Sequence, residues 1–571
     1  MKTLRFWLFA LLAVSLLPSA VRAQDEDTRT ADEEPVWPVL TINLSSINRV
    51  REHIDFLFGL VDRPEITDLV DAQLANVRDL KGLNQDKPGG LMIFLSGGLA
   101  PLPIPVAYVP VEDIGELTQT VETMGAQIDA VPGEEGYYEF IPRNGATQYV
   151  VLENGYAFFG ASRDSIERDF AHPEVFAAKI SNQYDICISA NLSKTPKDVR
   201  KLVLATIRAS SQASMQQRDN EPESAYKIRR AGAESNLKFI EQLLTEGEEA
   251  TLGFKVDPVK KQAYLELVIR AQDDSNFADD LLATTAESSY FHAAVDETVP
   301  ISLSYSANIA DQDRNTLLAI LDAGVVGANR GVAELPEDTP EEDIPQLASV
   351  RAIFDSLRAT TKEGHLDAFV QMFGEPPEKF VLAGGIKLLD AESFGVGLAD
   401  LLERARSSDS ETDIELSVAS HGDVVFHRLT GKDGPNRRDE RMFGSKPALY
   451  LGTGHGAVWF AIGGEQAVPT LGTAIDKVLA SQSAPPIRKL SPFQFVLNAN
   501  HFVRMNAATR ENPGRFNQLA SEAFDATGSD VVRLDAKAIE NGFRIRLQVE
   551  NGFLRLLGMG IAGRIDRSQD L

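Results

Sequence analysis

The sequence has very few of the residues that cross-link small proteins or assemble reactive sites. Among 571 residues there are one cysteine, eight histidines and three tryptophans. A single cysteine cannot form a disulfide within the chain, so the folded state depends on its buried cores. This residue, Cys187, lies in the alternating run "YDICISANL". We therefore expect it to be packed inside a strand, with an intermolecular disulfide as the alternative.

Basic residues are also scarce relative to acidic ones. The chain has 56 lysines and arginines against 83 aspartates and glutamates, which gives a formal net charge of −27 at pH 7. Such a charge repels nucleic-acid phosphates and anionic membrane surfaces unless a local basic stripe offsets it. The longest basic stretch is "NRRDER". The composition thus predicts no nucleic-acid partner.

Long apolar runs are absent after the N-terminus. The first residues, "MKTLRFWLFALLAVSLLPSAVRAQ", combine a basic start, an apolar core and a small-residue site. This pattern predicts a signal peptide over 1–23 and an exported protein, periplasmic or extracellular, with an uncleaved anchor as the alternative. The acidic stretch that follows predicts a disordered spacer over 24–37. Without a later run of eighteen apolar residues, we expect no transmembrane segment after signal removal.

Four segments share one layout, in which an alternating apolar strand is followed by a polar turn and a helix. An asparagine stands at each switch, and with the serine, threonine or aspartate nearby it is predicted to cap the helix, a ligand site being the alternative. These asparagines are Asn43, Asn191, Asn308 and Asn500.

The order of elements after these segments also repeats, which predicts an internal duplication. The predicted parts are repeat one over 38–290, repeat two over 298–560 and a C-terminal tail over 561–571. Turns such as "ENG" and "IENG" join most strands as antiparallel neighbours. The predicted fold class is α+β, a tandem duplication of a mostly antiparallel sheet packed against long helices.

Two long helical segments flank the breaker "RDNEPES". In the first, Val199, Leu202, Val203 and Ile207 follow a helical period and form one apolar stripe. We expect this stripe to cover a sheet or to pair with the second helix. A groove that binds a partner is the alternative.

Two motifs could suggest a bound phosphate or metal ion. The stretch "GTGHGA" at 452–457 has the spelling of a dinucleotide-binding loop, but an extended run follows it instead of a helix. A similar stretch, "ENGYAFFGAS", has only one glycine at its turn, so a hairpin turn is predicted for both. The stretch "DQDRN" at 311–315 begins like a calcium loop but lacks the required glycine and glutamate. It is predicted to start a helix.

No motif identifies an enzyme. The nucleophile spelling G-x-S-x-G is missing. The densest histidine group is a predicted hairpin with His421 in its turn, and a metal there needs a further ligand. Strand aromatics are more typical of cores than of a sugar-binding platform. No catalytic, cofactor-binding or metal-binding residue is predicted; the residues considered were His421, Asp423, His427, Trp37, Trp459 and Phe460.

Two stretches resemble a family of exported proteins of unknown function from planctomycete-type bacteria. They are "FGLVDRPEITDLVDAQLANVRDLKGLNQDKPGGLMIFL" and "QQRDNEPESAYKIRRAGAESNLKFIEQLLTEGEEATLGFKVD". The resemblance implies a periplasmic or cell-envelope setting and supplies no catalytic residues.

The leading functional hypothesis is a non-catalytic exported envelope protein that acts by binding or assembly, without a cofactor. An alternative is a carrier of an apolar or peptide ligand, because long helices over a curved sheet can enclose an apolar cleft. A hydrolase whose site is not readable from motifs is the second alternative. The partners these hypotheses imply are an envelope protein or an apolar or peptide ligand.

Overall fold

The computed structural model describes residues 36–96, 101–169, 171–283, 289–336, 339–340, 343–375, 378–407, 411–482, 491–509 and 514–569. The predicted signal peptide lies outside these residues, as does the spacer up to residue 35. At the end of the spacer, the backbone of Val36 hydrogen-bonds with Asp169 and Ala171. No helix among the described residues combines the length and apolar character needed to cross a membrane.

The strands are four to eleven residues long. Tight turns join several consecutive strands, and helices or longer loops join the others. In chain order they are β1 (Leu40–Leu44), β2 (Gly89–Leu95), β3 (Pro103–Pro110), β4 (Gln127–Ala130), β5 (Tyr137–Ile141), β6 (Gln148–Glu153), β7 (Tyr156–Gly160), β8 (Ile186–Asn191), β9 (Gly247–Asp257), β10 (Gln262–Ala271), β11 (Ile301–Asn308), β12 (His365–Phe373), β13 (Val381–Lys387), β14 (Thr412–His421), β15 (Val424–Gly431), β16 (Ala448–Gly454), β17 (Ala457–Gly463), β18 (Phe493–Asn498), β19 (Val531–Ile539) and β20 (Gly542–Glu550).

The helices range from one turn to more than six. In chain order they are α1 (Ile47–Gly59), α2 (Pro64–Ala75), α3 (Ile114–Thr123), α4 (Arg163–Ile166), α5 (Pro173–Gln183), α6 (Lys197–Ser214), α7 (Glu223–Glu246), α8 (Asn276–Ala283), α9 (Asp311–Val332), α10 (Ala348–Glu363), α11 (Ala391–Ser407), α12 (Arg437–Phe443), α13 (Ala467–Ser481), α14 (Ala499–Thr509), α15 (Arg515–Thr527) and α16 (Asn551–Gln569). Helices and antiparallel strands of this kind confirm the predicted α+β class.

The chain forms two compact units. Unit one contains the described residues up to Arg200, together with Glu248–Ile269 and those from Leu554 onward. Unit two contains Lys201–Gly247 and Arg270–Phe553. The predicted repeat limits, 38–290 and 298–560, stay predictions, because compactness and sequence repetition are different properties.

The strands of unit one pair in the order β4-β5-β6-β7-β3-β2-β1-β8-β9-β10. Every pair with a defined register is antiparallel. The central strand β7 is buried along its whole length, as expected for a strand covered on both faces.

The strands of unit two pair in the order β14-β15-β16-β17-β13-β12-β11-β18-β19-β20, again antiparallel. This is the order of unit one with ten added to every strand number. The repetition of strand order is therefore a property of the structure, and the duplication of the sequence remains a prediction.

Each sheet has apolar layers on both faces, because neighbouring residues of a strand point to opposite sides. In unit one, Met92 and Phe158 pack with Ala177 of α5, whereas Leu91 and Phe159 pack with helix α3 on the other face. In unit two, Trp459 packs in one cluster with residues of helix α13. The adjacent Val458 faces the opposite layer, with partners from α10 and α11.

Residues 561–569, predicted as part of a C-terminal tail, form the second half of helix α16 instead. Ala562 is buried in a cluster with Phe58 and Ile66, and Ile561 and Ile565 pack against the same cluster. The tail prediction was wrong here because apolar residues three and four apart mark a helix face, even near the end of a chain.

Candidate functional site

The glycine-rich stretch at 452–457 forms a hairpin turn. Strand β16 ends at Gly454, β17 begins at Ala457, and His455 and Gly456 between them have φ values of 53° and 70°. The turn between β6 and β7 repeats this geometry at Asn154 and Gly155, with φ values of 48° and 78°. Two consecutive positive φ values fit the tight turns that join twisted antiparallel strands. The hairpin prediction is confirmed, and no helix follows to hold a pyrophosphate.

The acidic stretch at 311–315 starts helix α9, as predicted. Asp311 and Asp313 lie in its first turn, where the helix dipole favours negative charge. Asp311 also pairs with Arg314 at 3.0 Å. These contacts explain the local acidic residues without a metal ion.

The histidine group on the β14–β15 hairpin is dispersed. His421 is the last residue of β14 and not part of the turn as predicted, and its Nε2 lies 2.8 Å from Asp476 Oδ1. The Nδ1 of His427 instead accepts a hydrogen bond from the backbone of Ser417. Burial lowers the pKa of His427. The described residues contain no group of three or more histidine, cysteine, aspartate or glutamate side chains arranged to hold a metal.

Trp459, one of the aromatic residues named as a possible sugar-binding platform, lies in the core of unit two. Trp459 is fully buried, and its Nε1 donates to the carbonyl of Gly454 at 3.1 Å. Its ring meets Phe291 edge-on, with the ring centroids 5.5 Å apart. Trp459 is therefore a core residue.

Cys187 is buried in β8, as predicted. Burial raises the pKa of its thiol to about 11, although Asn43 donates to the sulfur and partly offsets this effect. Asn43 is itself buried, donates to Thr41 at 3.0 Å and accepts from the hydroxyl of Tyr108. This polar cluster inside unit one is satisfied by its own members, so it does not indicate a ligand site.

The capping prediction holds for the serine of the first segment and is wrong for the asparagines. Helix α1 is capped by Ser46, which accepts from the backbone of Arg49 at 3.1 Å. Asn191 orders the turn after β8 by accepting from the backbone of Lys194. Of the other two, Asn308 forms a hydrogen bond with His365 through its side chain, and Asn500 lies within helix α14.

A pocket in unit two combines an apolar floor with basic residues at its mouth. We call it the arginine pocket; its volume is about 400 Å³, and its described lining residues are Phe380, Arg438, Arg441, Met442, Phe502, Met505 and Asn506. Three of these lie on the short helix α12 and three on α14. Phe380 directly precedes β13.

The floor of the arginine pocket is a small core of its own. Phe380 and Met505 are buried together with Met372, and Met442 and Phe502 pack against them. The rings of Phe380 and Phe502 have centroids 5.5 Å apart. Met442 and Phe502 are half-buried and present apolar surface to the pocket, and an unbranched methionine side chain adapts to ligand shape.

Hydrogen bonds at both ends hold α12 in place beside this floor. Asn436 caps the helix by accepting from the backbone of Arg438 and Asp439, at 2.9 and 3.0 Å. At the other end, the backbone N–H of Phe380 donates to the carbonyl of Met442 at 2.8 Å. Helix α14 contributes Phe502, Met505 and Asn506, whose spacing places them on one helix face. Helices α12 and α14 thus fix the positions of the residues that line the pocket.

The electrostatics of the arginine pocket favour an anion. Its described lining includes two guanidinium groups and no carboxylate. Among the described residues, no carboxylate forms an ion pair with Arg438 or Arg441. Two acids lie between them in the chain: Asp439, which accepts a hydrogen bond from Asn436 at 2.7 Å, and Glu440, which is exposed. Two guanidinium groups can bind a carboxylate or phosphate through paired N–H donors.

The sequence held one signal for this pocket, the stretch "NRRDER". In the sequence this stretch bears only on nucleic-acid binding, because its two pocket arginines lie far along the chain from Phe380 and Phe502. Only the pairing of distant strands brings these residues together.

Comparison with protein-family models, with curated proteins and with solved structures gives no match. The function is therefore argued from the geometry of the arginine pocket.

Proposed function

We propose that this protein is an exported, non-catalytic binding protein that carries an anionic amphiphile, a molecule with a carboxylate or phosphate head and an apolar tail. The ligand occupies the arginine pocket, with its head at Arg438 and Arg441 and its tail on Met442 and Phe502, which are half-buried. The observation that carries the proposal is the coincidence of two guanidinium groups with a phenylalanine and methionine floor.

The pocket dimensions support a small ligand. Small-molecule sites typically have volumes of about 300–1,000 Å³ and mostly apolar walls with a few polar groups that fix orientation. The arginine pocket, at about 400 Å³, lies at the lower end of this range. We therefore expect a single short chain rather than a two-chain lipid held whole.

The position of the pocket in the repeated strand order also supports a specialised role. We propose that the two units arose by duplication, since their strands pair in the same order. Helix α12 lies between β15 and β16, and the corresponding β5–β6 connection, 142–147, contains no helix. The pocket is thus built on an element that only unit two has.

Titration calorimetry with dodecanoate, below its micellar concentration, tests the head group. Dodecanoate should bind more tightly than the uncharged methyl dodecanoate. Arg438→Gln/Arg441→Gln should weaken dodecanoate binding about tenfold for each arginine, because each removes a hydrogen bond between charged groups. The matched control is Arg437→Gln, which removes the same charge from the same helix outside the lining. Equal loss in the control, or equal affinity for the ester, would contradict the proposal.

A series from hexanoate to tetradecanoate tests the tail. Each added methylene that becomes buried should tighten binding about fourfold, since burial of one CH₂ contributes about 0.8 kcal/mol. The increase should stop once the pocket is filled. An affinity that does not depend on chain length would show that the floor is not the binding surface.

A further inference from the structure

The arginine pocket has a third polar side chain, that of Asn506 on helix α14. Asn506 is half-buried, and its side-chain amide forms no hydrogen bond with another described residue. Apart from the two arginines, the rest of the described lining is apolar. A ligand that fills the pocket removes water from this amide, which is costly unless the ligand supplies a hydrogen-bond partner. An apolar tail has no such atom, so the partner belongs to the head group.

The two guanidinium groups carry more positive charge than one carboxylate neutralises. Arg438 and Arg441 lie three residues apart and therefore share one face of α12. The 3.6-residue turn of a helix places Glu440 about 200° from Arg438, and Glu440 is not part of the described lining. A head group that covers both arginines takes them partly out of water, where unbalanced charge is costly. A dianionic head group balances both arginines, and a monoanionic one balances half of their charge.

We infer that the head group is a phosphate monoester carried by one alkyl chain, an inference that rests on the function proposed above. A carboxylate offers about four acceptor positions, which two guanidinium forks can use completely. A phosphate monoester has three terminal oxygens and a charge of about −1.5 to −2 at pH 7. It therefore balances Arg438 and Arg441 and has a further oxygen that accepts from the N–H of Asn506.

Titration calorimetry with three ligands that share an eight-carbon tail tests the charge of the head group. The ligands are octyl phosphate, octyl sulfate and nonanoate, each below its micellar concentration. At pH 8 octyl phosphate should bind at least tenfold more tightly than the other two, since it alone is a dianion. At pH 5 this advantage over octyl sulfate should disappear, because a phosphate monoester gains a proton below its second pKa of about 6.

Octyl sulfate also controls for titration of the protein, because it is a monoanion throughout this pH range. A change of charge on the protein alters the binding of both octyl ligands, whereas protonation of the phosphate alters only one. The other charged or titratable side chains on or beside the elements that line the pocket are Lys379, Arg437, Asp439, Glu440, His501 and Arg504.

Asn506→Ala tests the third contact. It should weaken the binding of octyl phosphate and octyl sulfate about tenfold, because each uses a third oxygen, and that of nonanoate by less than about twofold. The matched control is Asn315→Ala, which removes the same amide from an exposed position of helix α9 and should change none of the affinities. Circular dichroism verifies that both variants keep their helix content.

Inorganic phosphate tests the need for a tail, and it should bind at least a hundredfold more weakly than octyl phosphate because it buries no methylene groups. Equal affinity for both phosphates, equal affinity for octyl phosphate and nonanoate at pH 8, or unchanged phosphate binding by Asn506→Ala overturns the inference. The proposed function then stands if Arg438→Gln/Arg441→Gln still weakens nonanoate binding. Binding that does not depend on the two arginines overturns both.

Discussion

Units one and two have the same strand order but fill their sheets differently. At matching positions of the central strands, unit one has Phe158 and unit two has Trp459, and both are fully buried. The helix after the first strand is 13 residues long in unit one and 22 in unit two. Strand order is therefore compatible with different side chains and helix lengths, because it depends on backbone pairing and on alternation rather than on particular residues.

The largest expected effect concerns these two aromatic residues. Trp459→Ala and Phe158→Ala should each lower the free energy of unfolding by about 3–5 kcal/mol, since each leaves a cavity in a close-packed layer. Urea denaturation measures this loss, and hydrogen exchange locates it. The control Phe516→Ala, at an exposed aromatic, should change the stability by less than about 0.5 kcal/mol. A small loss of unfolding free energy at only one of the two sites would show that the two positions do not have equivalent roles in their sheets.

A second prediction sharpens the comparison within unit one. Tyr108→Phe removes the donor to the buried Asn43 and should cost about 1–3 kcal/mol of unfolding free energy. Tyr156→Phe should cost less than about 0.5 kcal/mol, because its buried hydroxyl has no hydrogen-bond partner among the described residues. Burial raises the pKa of Tyr156 to about 12, so this phenol is neutral at pH 7.

Chemical denaturation of the two tyrosine variants under identical conditions makes the comparison direct, since both changes remove one oxygen from a buried ring. Equal stability of the two variants would show that the contact between Tyr108 and Asn43 contributes nothing. A larger loss of unfolding free energy for Tyr156→Phe would show that the Tyr156 hydroxyl, and not that of Tyr108, makes the stabilising contact.

The smallest effect concerns the two matching hairpins. Gly155→Ala and Gly456→Ala should each cost about 1 kcal/mol, because both glycines have positive φ. An added Cβ would come no closer than 3.9 Å to its surroundings at either site, so the cost arises from the backbone alone. Gly232→Ala, in the middle of α7 with open space around it, should instead stabilise the protein. Thermal denaturation should therefore show a lower melting temperature for the two hairpin variants and a higher one for Gly232→Ala. Unequal decreases in the two hairpin variants would show that the two turns are not equivalent.

Local sequence patterns predicted the helices, strands and turns. The arrangement of these elements depends on pairing between strands that are far apart in the sequence. The α+β class, the long helices α6 and α7 and the glycine hairpins follow from periodicity and turn chemistry, which short stretches contain. The pairing of β1 with β8 joins residues more than 140 positions apart. Helix α12 was not predicted, because its seven residues are too few to show a period.

The sequence by itself determined the α+β class, the buried strand position of Cys187 and the hairpins at 154–155 and 455–456. These depend on alternation and on turn geometry, which neighbouring residues specify. Only the tertiary structure decided that Leu204 is buried while Leu202 faces solvent, and that Arg438 lies beside Phe380 and Phe502. Several apolar faces of a helix are equivalent until other elements pack against it, so burial and pockets depend on contacts between residues far apart in the chain.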